Sequence, residues 1–139
     1  MAGQQRGAIY SDLMPHTIDL AGDPGFIHVV LHGSMDLPAL ELAMSDVIAA
    51  CAAHPGRPIL GDARAAEFEI SPTEVYHIAS DLATTEVGRV KLAIVDRVRT
   101  AFDPPAFFQE IGVHRGMPVE RFAEPEAAIR WLSGREAPA

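Results

Sequence analysis

The sequence predicts a single α/β domain: a mostly parallel five-stranded sheet with an antiparallel N-terminal hairpin strand and about four helices. Three observations lead there. Strand-like apolar runs alternate with helix-period stretches along nearly the whole chain, which favours parallel strands joined by helical crossovers. The run V-K-L-A-I-V at residues 90–95 is almost continuously apolar, as a strand covered on both faces would be. The run S-P-T-E at 71–74 combines a serine cap, a proline and a glutamate three residues on, a strong start signal for the helix after a strand.

Taken in order, residues 1–15 carry no clear periodicity and form a loose lead-in. Residues 17–20 alternate, with Ile18 and Leu20 on one face. Asp23-Pro24-Gly25 is turn chemistry, and residues 26–31 return as a second strand, so a hairpin opens the fold. Residues 33–36 break that strand. Leu37, Leu40, Met44, Val47 and Cys51 then recur at helical spacing, and His54-Pro55-Gly56 stops the helix. Residues 59–61 read as a short buried strand, and 62–66 as a turn leading to the capped helix. Val75, Ile78, Ala79 and Leu82 form that helix's inner stripe, and Gly88 ends it. After the strand at 90–95, Asp103-Pro104-Pro105 caps a third helix with Phe107, Phe108 and Ile111 inside. Residues 119–122 are a last strand. Glu124-Pro125-Glu126 opens a final helix with acids at the positive end of its dipole, and Gly134 ends it. The domain spans 16–134, and 135–139 form a frayed tail.

Composition narrows the function classes. The 139 residues are enough for one domain with a real core. A formal net charge of −8 opposes nucleic-acid backbones and anionic membrane surfaces. The single cysteine, Cys51, excludes an internal disulfide and fits a reducing compartment. No apolar run approaches the ~20 residues of a membrane span, so stable membrane insertion is not expected. With no signal-peptide pattern at the start either, the sequence points to the cytoplasm.

Several segments together resemble the STAS superfamily, and within it the stand-alone SpoIIAA-like branch, also described as STAS/CRAL-TRIO-like. The matching residues are R-P-I-L-G-D-A-R from Arg57, I-S-P-T-E from Ile70, R-V-K-L-A-I-V from Arg89, and M-P-V-E-R-F-A-E-P-E-A-A-I-R-W-L from Met117. The likeness covers roughly residues 17–132. It implies a bacterial, non-enzymatic, regulatory or protein-interaction module without cofactor. Its partner would be a regulatory protein or, as the alternative, a lipophilic small molecule for which the chain is carrier or sensor; a small enzyme is the remotest reading. The resemblance also associates such modules with a serine at a helix start that is phosphorylated to release a partner. Here the sequence departs: Asp62 is followed by Ala63-Arg64-Ala65-Ala66, with no hydroxyl until Ser71.

The candidate site residues follow from these readings. Asp62, Arg64 and Ser71 mark the expected partner surface beyond the central strand, where open α/β sheets commonly meet ligands. Ser71 reads as a phosphosite or, more simply, as the cap of its helix, and Asp62 with Arg64 as a contact surface or a structural ion pair. Phe102, Phe107, Phe108, Ile78 and Leu82 are the expected wall of an apolar ligand pocket, with an ordinary core as the plainer explanation. His28 and His32 share a strand face, but no third ligand stands at short spacing, so no metal is expected. Cys51 belongs to an inward helix stripe and reads as core. No nucleophile elbow or phosphate-cradling glycine loop occurs. Oligomeric state is open, a homodimer included.

Overall fold

The structure is a computed structural model and describes residues 16–19, 25–99 and 101–134. The elements are β1 (His16–Asp19), β2 (Ile27–Asp36), α1 (Leu37–Ala53), β3 (Ile59–Glu69), α2 (Pro72–Leu82), a 3₁₀ turn (Glu86–Arg89), β4 (Leu92–Val95), α3 (Pro104–His114), β5 (Val119–Phe122) and α4 (Pro125–Leu132). The expected lead-in 1–15, Leu20 of the expected first strand, Asp23 and Pro24 of the expected turn, and the tail 135–139 lie outside the described residues.

Local chemistry sets where the helices begin. The carboxylate of Asp36 accepts the Ala39 N–H at 3.0 Å at the start of α1. At α2 the Ser71 hydroxyl accepts from the Glu74 N–H at 3.2 Å, while the Ser71 N–H donates to the Glu74 carboxylate at 2.9 Å. That reciprocal pair is the capping box expected from S-P-T-E, and it satisfies two otherwise orphaned donors. Asp103 caps α3 through the Ala106 N–H at 3.3 Å. Each of these helices carries proline in its first turn, where a missing N–H costs nothing.

The strands lie in the order β1-β2-β3-β4-β5, with β1 antiparallel to β2 and every other neighbouring pair parallel. This is the expected mixed sheet with its antiparallel strand at one edge. Alternation divides the side chains between two faces. On one face Val29, Leu31, Ile59, Leu92 and Ile94 pack with Leu40, Val47, Ile78, Leu82 and Val87 from α1, α2 and the 3₁₀ turn. On the other, Leu60, Ala93 and Val95 pack with Ala128 and Leu132 of α4. β4 is buried at all four positions, as its apolar sequence requires.

Besides shifts of one or two residues at strand ends, such as β4 starting at Leu92 rather than Val90, three element limits differ from the sequence reading. β2 runs through the predicted break at 33–36: Gly33 takes φ +74°, bending the strand without ending it, and pairing continues to Asp36 opposite Glu69. β3 likewise runs on to Glu69, through the residues read as a turn. These two corrections are one event, because the extended halves pair with each other. Finally, α2 ends at Leu82 rather than at Gly88. The Thr84 and Thr85 hydroxyls take the Asp81 and Leu82 carbonyls, and the 3₁₀ turn fills the interval.

Candidate partner surface at the carboxyl rim of the sheet

The extension of β3 is irregular at one point. Val30 lies opposite Asp62 and His32 opposite Ala65, so β3 carries one more residue than β2 across this step. The extra residue forms a bulge, which re-aims the side chains beside it. Arg64 sits on the bulge. Its backbone N–H donates to Asp62 Oδ1 at 3.1 Å, its Nε to the same oxygen at 3.0 Å, and its Nη2 to Oδ2 at 2.7 Å. The guanidinium therefore grips the carboxylate with both prongs, the strong geometry for such a pair. The hydrogen bond from the Arg64 side chain is the main reason the Asp62 carboxyl is held below its usual range; partial burial opposes it, and the Arg64 N–H and the charges of Arg64 and His28 reinforce it.

β4 stops at Val95, so the carbonyls of β3 beyond Asp62 lose their neighbouring strand. Two arginines from the segment after β4 take its place. Arg97 donates from Nε to the Arg64 carbonyl at 3.0 Å and from Nη2 to the Ala66 carbonyl at 3.3 Å and to Glu67 at 2.7 Å. Arg99 donates from Nη2 to the Ala63 and Ala66 carbonyls at 3.2 and 3.0 Å, and its guanidinium lies 5.1 Å from the centre of the Phe68 ring. Arg99 also pairs with Asp96, whose side chain is 1% exposed. Arg121 on β5 closes the cluster, bonding Asp96 at 3.0 Å and the α3 cap Asp103 at 3.3 Å. A buried carboxylate needs such partners to remain charged.

The result is a rim of fixed cations and carboxylates where β4 and β5 end beside the bulge in the middle of β3. Between Arg97 and Arg99 stands Val98, 89% exposed. Phe102, beyond it on the approach to α3, is also exposed and packs edge-on against Phe107 with ring centres 5.7 Å apart.

The residues anticipated from sequence do not all meet. Asp62 and Arg64 form one unit. Ser71 does not join them: the strand from Asp62 to Glu69 intervenes, about 20 Å of chain at ~3.3 Å per residue. Its hydroxyl and N–H are both engaged in the capping box. Of the expected apolar wall, Ile78, Leu82 and Phe108 line a cavity of about 100 Å³ between the sheet and the helices, whereas Phe102 and Phe107 are not among its lining residues. Arg97, Arg99, Asp96 and Arg121 were not anticipated. The D-R-V-R run directly after an apolar strand was the available signal, but the β3 carbonyls that Arg97 and Arg99 hold lie more than thirty residues away along the chain.

Among the described residues no group of three or more His, Cys, Asp or Glu side chains could hold a metal ion. Cys51 is buried in α1, and that burial, with the nearby charge of Glu86, pushes its thiol up and away from the nucleophilic thiolate. No described helix is long and apolar enough to cross a membrane.

No family model matches the sequence, and no curated protein matches it as a relative. Solved structures do share the architecture. The anti-sigma factor antagonist SpoIIAA in its unphosphorylated form superposes with a TM-score of 0.57 at 16% identity, over 86% of this chain and 96% of that one. The fold is SpoIIAA-like. A second SpoIIAA-like structure, an uncharacterised protein from Shewanella loihica PV-4, matches with a TM-score of 0.55 at 12% identity, over 84% of this chain and 91% of that one. The expected STAS architecture is therefore observed, and at these identities the likeness is one of fold.

Proposed function

We propose that this chain is a non-enzymatic regulatory module that acts by binding a protein partner through the rim around Asp62, Arg64, Arg97 and Val98, inside the cytoplasm. The observation that carries the reading is the exposed Val98 held between two arginines that are fixed to β3. An apolar tip framed by preorganised guanidinium groups puts arginine, a residue enriched at interface hot spots, beside exposed apolar surface at little ordering cost. The fold adds support, since SpoIIAA is an anti-sigma factor antagonist and so acts on the regulation of another protein. Ser71 is assigned to the helix start: an added phosphate would lie beside Glu74 and displace the capping bonds.

The test is a comparison of partner capture by the unaltered protein and by Val98→Asp and Arg64→Ala, using protein crosslinked in its own host. Loss of the same crosslinked partner from both variants, with unchanged far-UV circular dichroism, is the expected result. Retention of that partner by both would overturn the reading. Ser71→Ala should lower stability by about 1 kcal/mol in urea and leave the partner bound. A drop in capture beyond the unfolded fraction would return Ser71 to the surface.

The lipid-carrier alternative has less support. The apolar cavity measures about 100 Å³, the scale of one small guest, since an engineered apolar cavity of ~150 Å³ holds a guest of benzene size.

A further inference from the structure

We infer that the core cavity is a binding site for a compact apolar molecule, no larger than a single six-membered ring. The inference stands on the cavity alone and is independent of the partner surface proposed above. Protein interiors pack at crystal-like density, and voids larger than a water are few. This one measures about 100 Å³ and every residue lining it is apolar, against the ~10–15 Å³ that one water occupies. Water entering it would find no hydrogen-bond partner on the side chains, so the space favours an apolar guest.

Its origin lies in the sequence of the central strand. On the face toward α1, α2 and α3, the flanking strands present Val29 and Leu31 on one side and Leu92 and Ile94 on the other. Between them β3 presents Gly61 and Ala63. Nothing in the backbone demands the glycine: its φ is not in the left-handed region, and an added Cβ would meet only the Ala93 carbonyl at 3.7 Å and Leu92 Cδ1 at 4.0 Å, ordinary contacts. The missing volume is thus a property of residue choice at the middle of the sheet, opposite Ile78, Leu82 and Phe108. Access follows from burial. Met44, Phe68 and Phe108 line the cavity yet are only half-buried, so these three flexible or planar side chains both wall the space and reach solvent. Size sets the class of guest: one aromatic ring or a short branched hydrocarbon fits with small rotamer changes, and a polar or long-chain molecule does not.

Benzene is the probe for the intact protein. At saturation it should raise the melting temperature by about 3–5 °C, and intermolecular NOEs should connect its protons to methyl groups of Ile78, Leu82 and Ile94. Ala63→Leu, which fills the space, should abolish the shift and the NOEs, and palmitate should produce neither in the unaltered protein. Absence of NOEs to these methyls in the unaltered protein would overturn the site whether or not the variant folds, and so would a folded Ala63→Leu protein that keeps the same NOEs.

Discussion

Asp62 and Arg64 are two residues apart on one strand, where side chains share a face, and the bulge brings them together in a two-pronged pair. The pair is discounted by solvent, because the Arg64 side chain is 47% exposed. Asp62→Asn should therefore cost about 1 kcal/mol near neutral pH. The sign of the pH dependence follows from the lowered carboxyl: the fold favours the ionised form, so its contribution is complete above the carboxyl's unfolded range. It is lost as pH falls through that range to the lower folded value. Urea unfolding of the two proteins should differ at neutral pH and converge in acid. A difference that persists unchanged into acid would mean that the asparagine disturbs the bulge for another reason. This pair was legible from sequence because both members sit within one short run. The arginines that complete the rim were not, since a guanidinium on the segment after β4 meets β3 carbonyls only once the sheet has assembled.

β3 is the element on which sequence and structure diverged most, and the reason is physical. Strand signals come from one apolar face in alternation. Beyond Asp62 the bulge shifts that alternation by one residue, and the run A-A-E-F-E buries only Ala66 and, in part, Phe68. Gly33 in β2 similarly resembles a breaker while acting as a bend. The S-P-T-E helix start, by contrast, was fully legible because all its bonds close within four residues. The stability of the β3 extension then depends on side chains in place of a neighbouring strand. Arg99 has the larger share: it holds two carbonyls and one of the two guanidinium contacts to buried Asp96. Arg99→Ala should cost about 3 kcal/mol or more, since it strips a partner from a buried charge. Arg97→Ala, at an exposed ion pair with Glu67, should cost about 1 kcal/mol or less. Hydrogen exchange provides the check: amides of 64–69 should lose protection in Arg99→Ala ahead of those in β4. Uniform loss across the sheet would show that the extension has no stability of its own to lose.

The molecule as a whole is one sheet between two unequal apolar layers. Among the described residues the larger layer involves α1, α2, the 3₁₀ turn and α3, and α4 is the helix of the smaller one. α4 has eight residues, too short to be stable by itself, so it exists by docking. Ala128 and Leu132 enter the smaller core, and the Lys91 ammonium bonds the Trp131 carbonyl at 2.9 Å and lies 5.0 Å from the centre of its ring. The two layers share β4, whose Leu92 and Ile94 face one core and Ala93 and Val95 the other. Removing α4 would expose half of the most buried strand, which couples the layers. Trp131 is the chain's only tryptophan, so its fluorescence reports the smaller layer, while far-UV circular dichroism reports all elements. Through shared β4 the two signals should follow a single transition in urea, with equal midpoints. Leu132→Ala should shift both midpoints together by an amount equivalent to about 2–3 kcal/mol. Were fluorescence to move first while the dichroism held, α4 would be a separate unit that undocks from an otherwise intact sheet, and the coupling through β4 would be too weak to make the domain unfold as one.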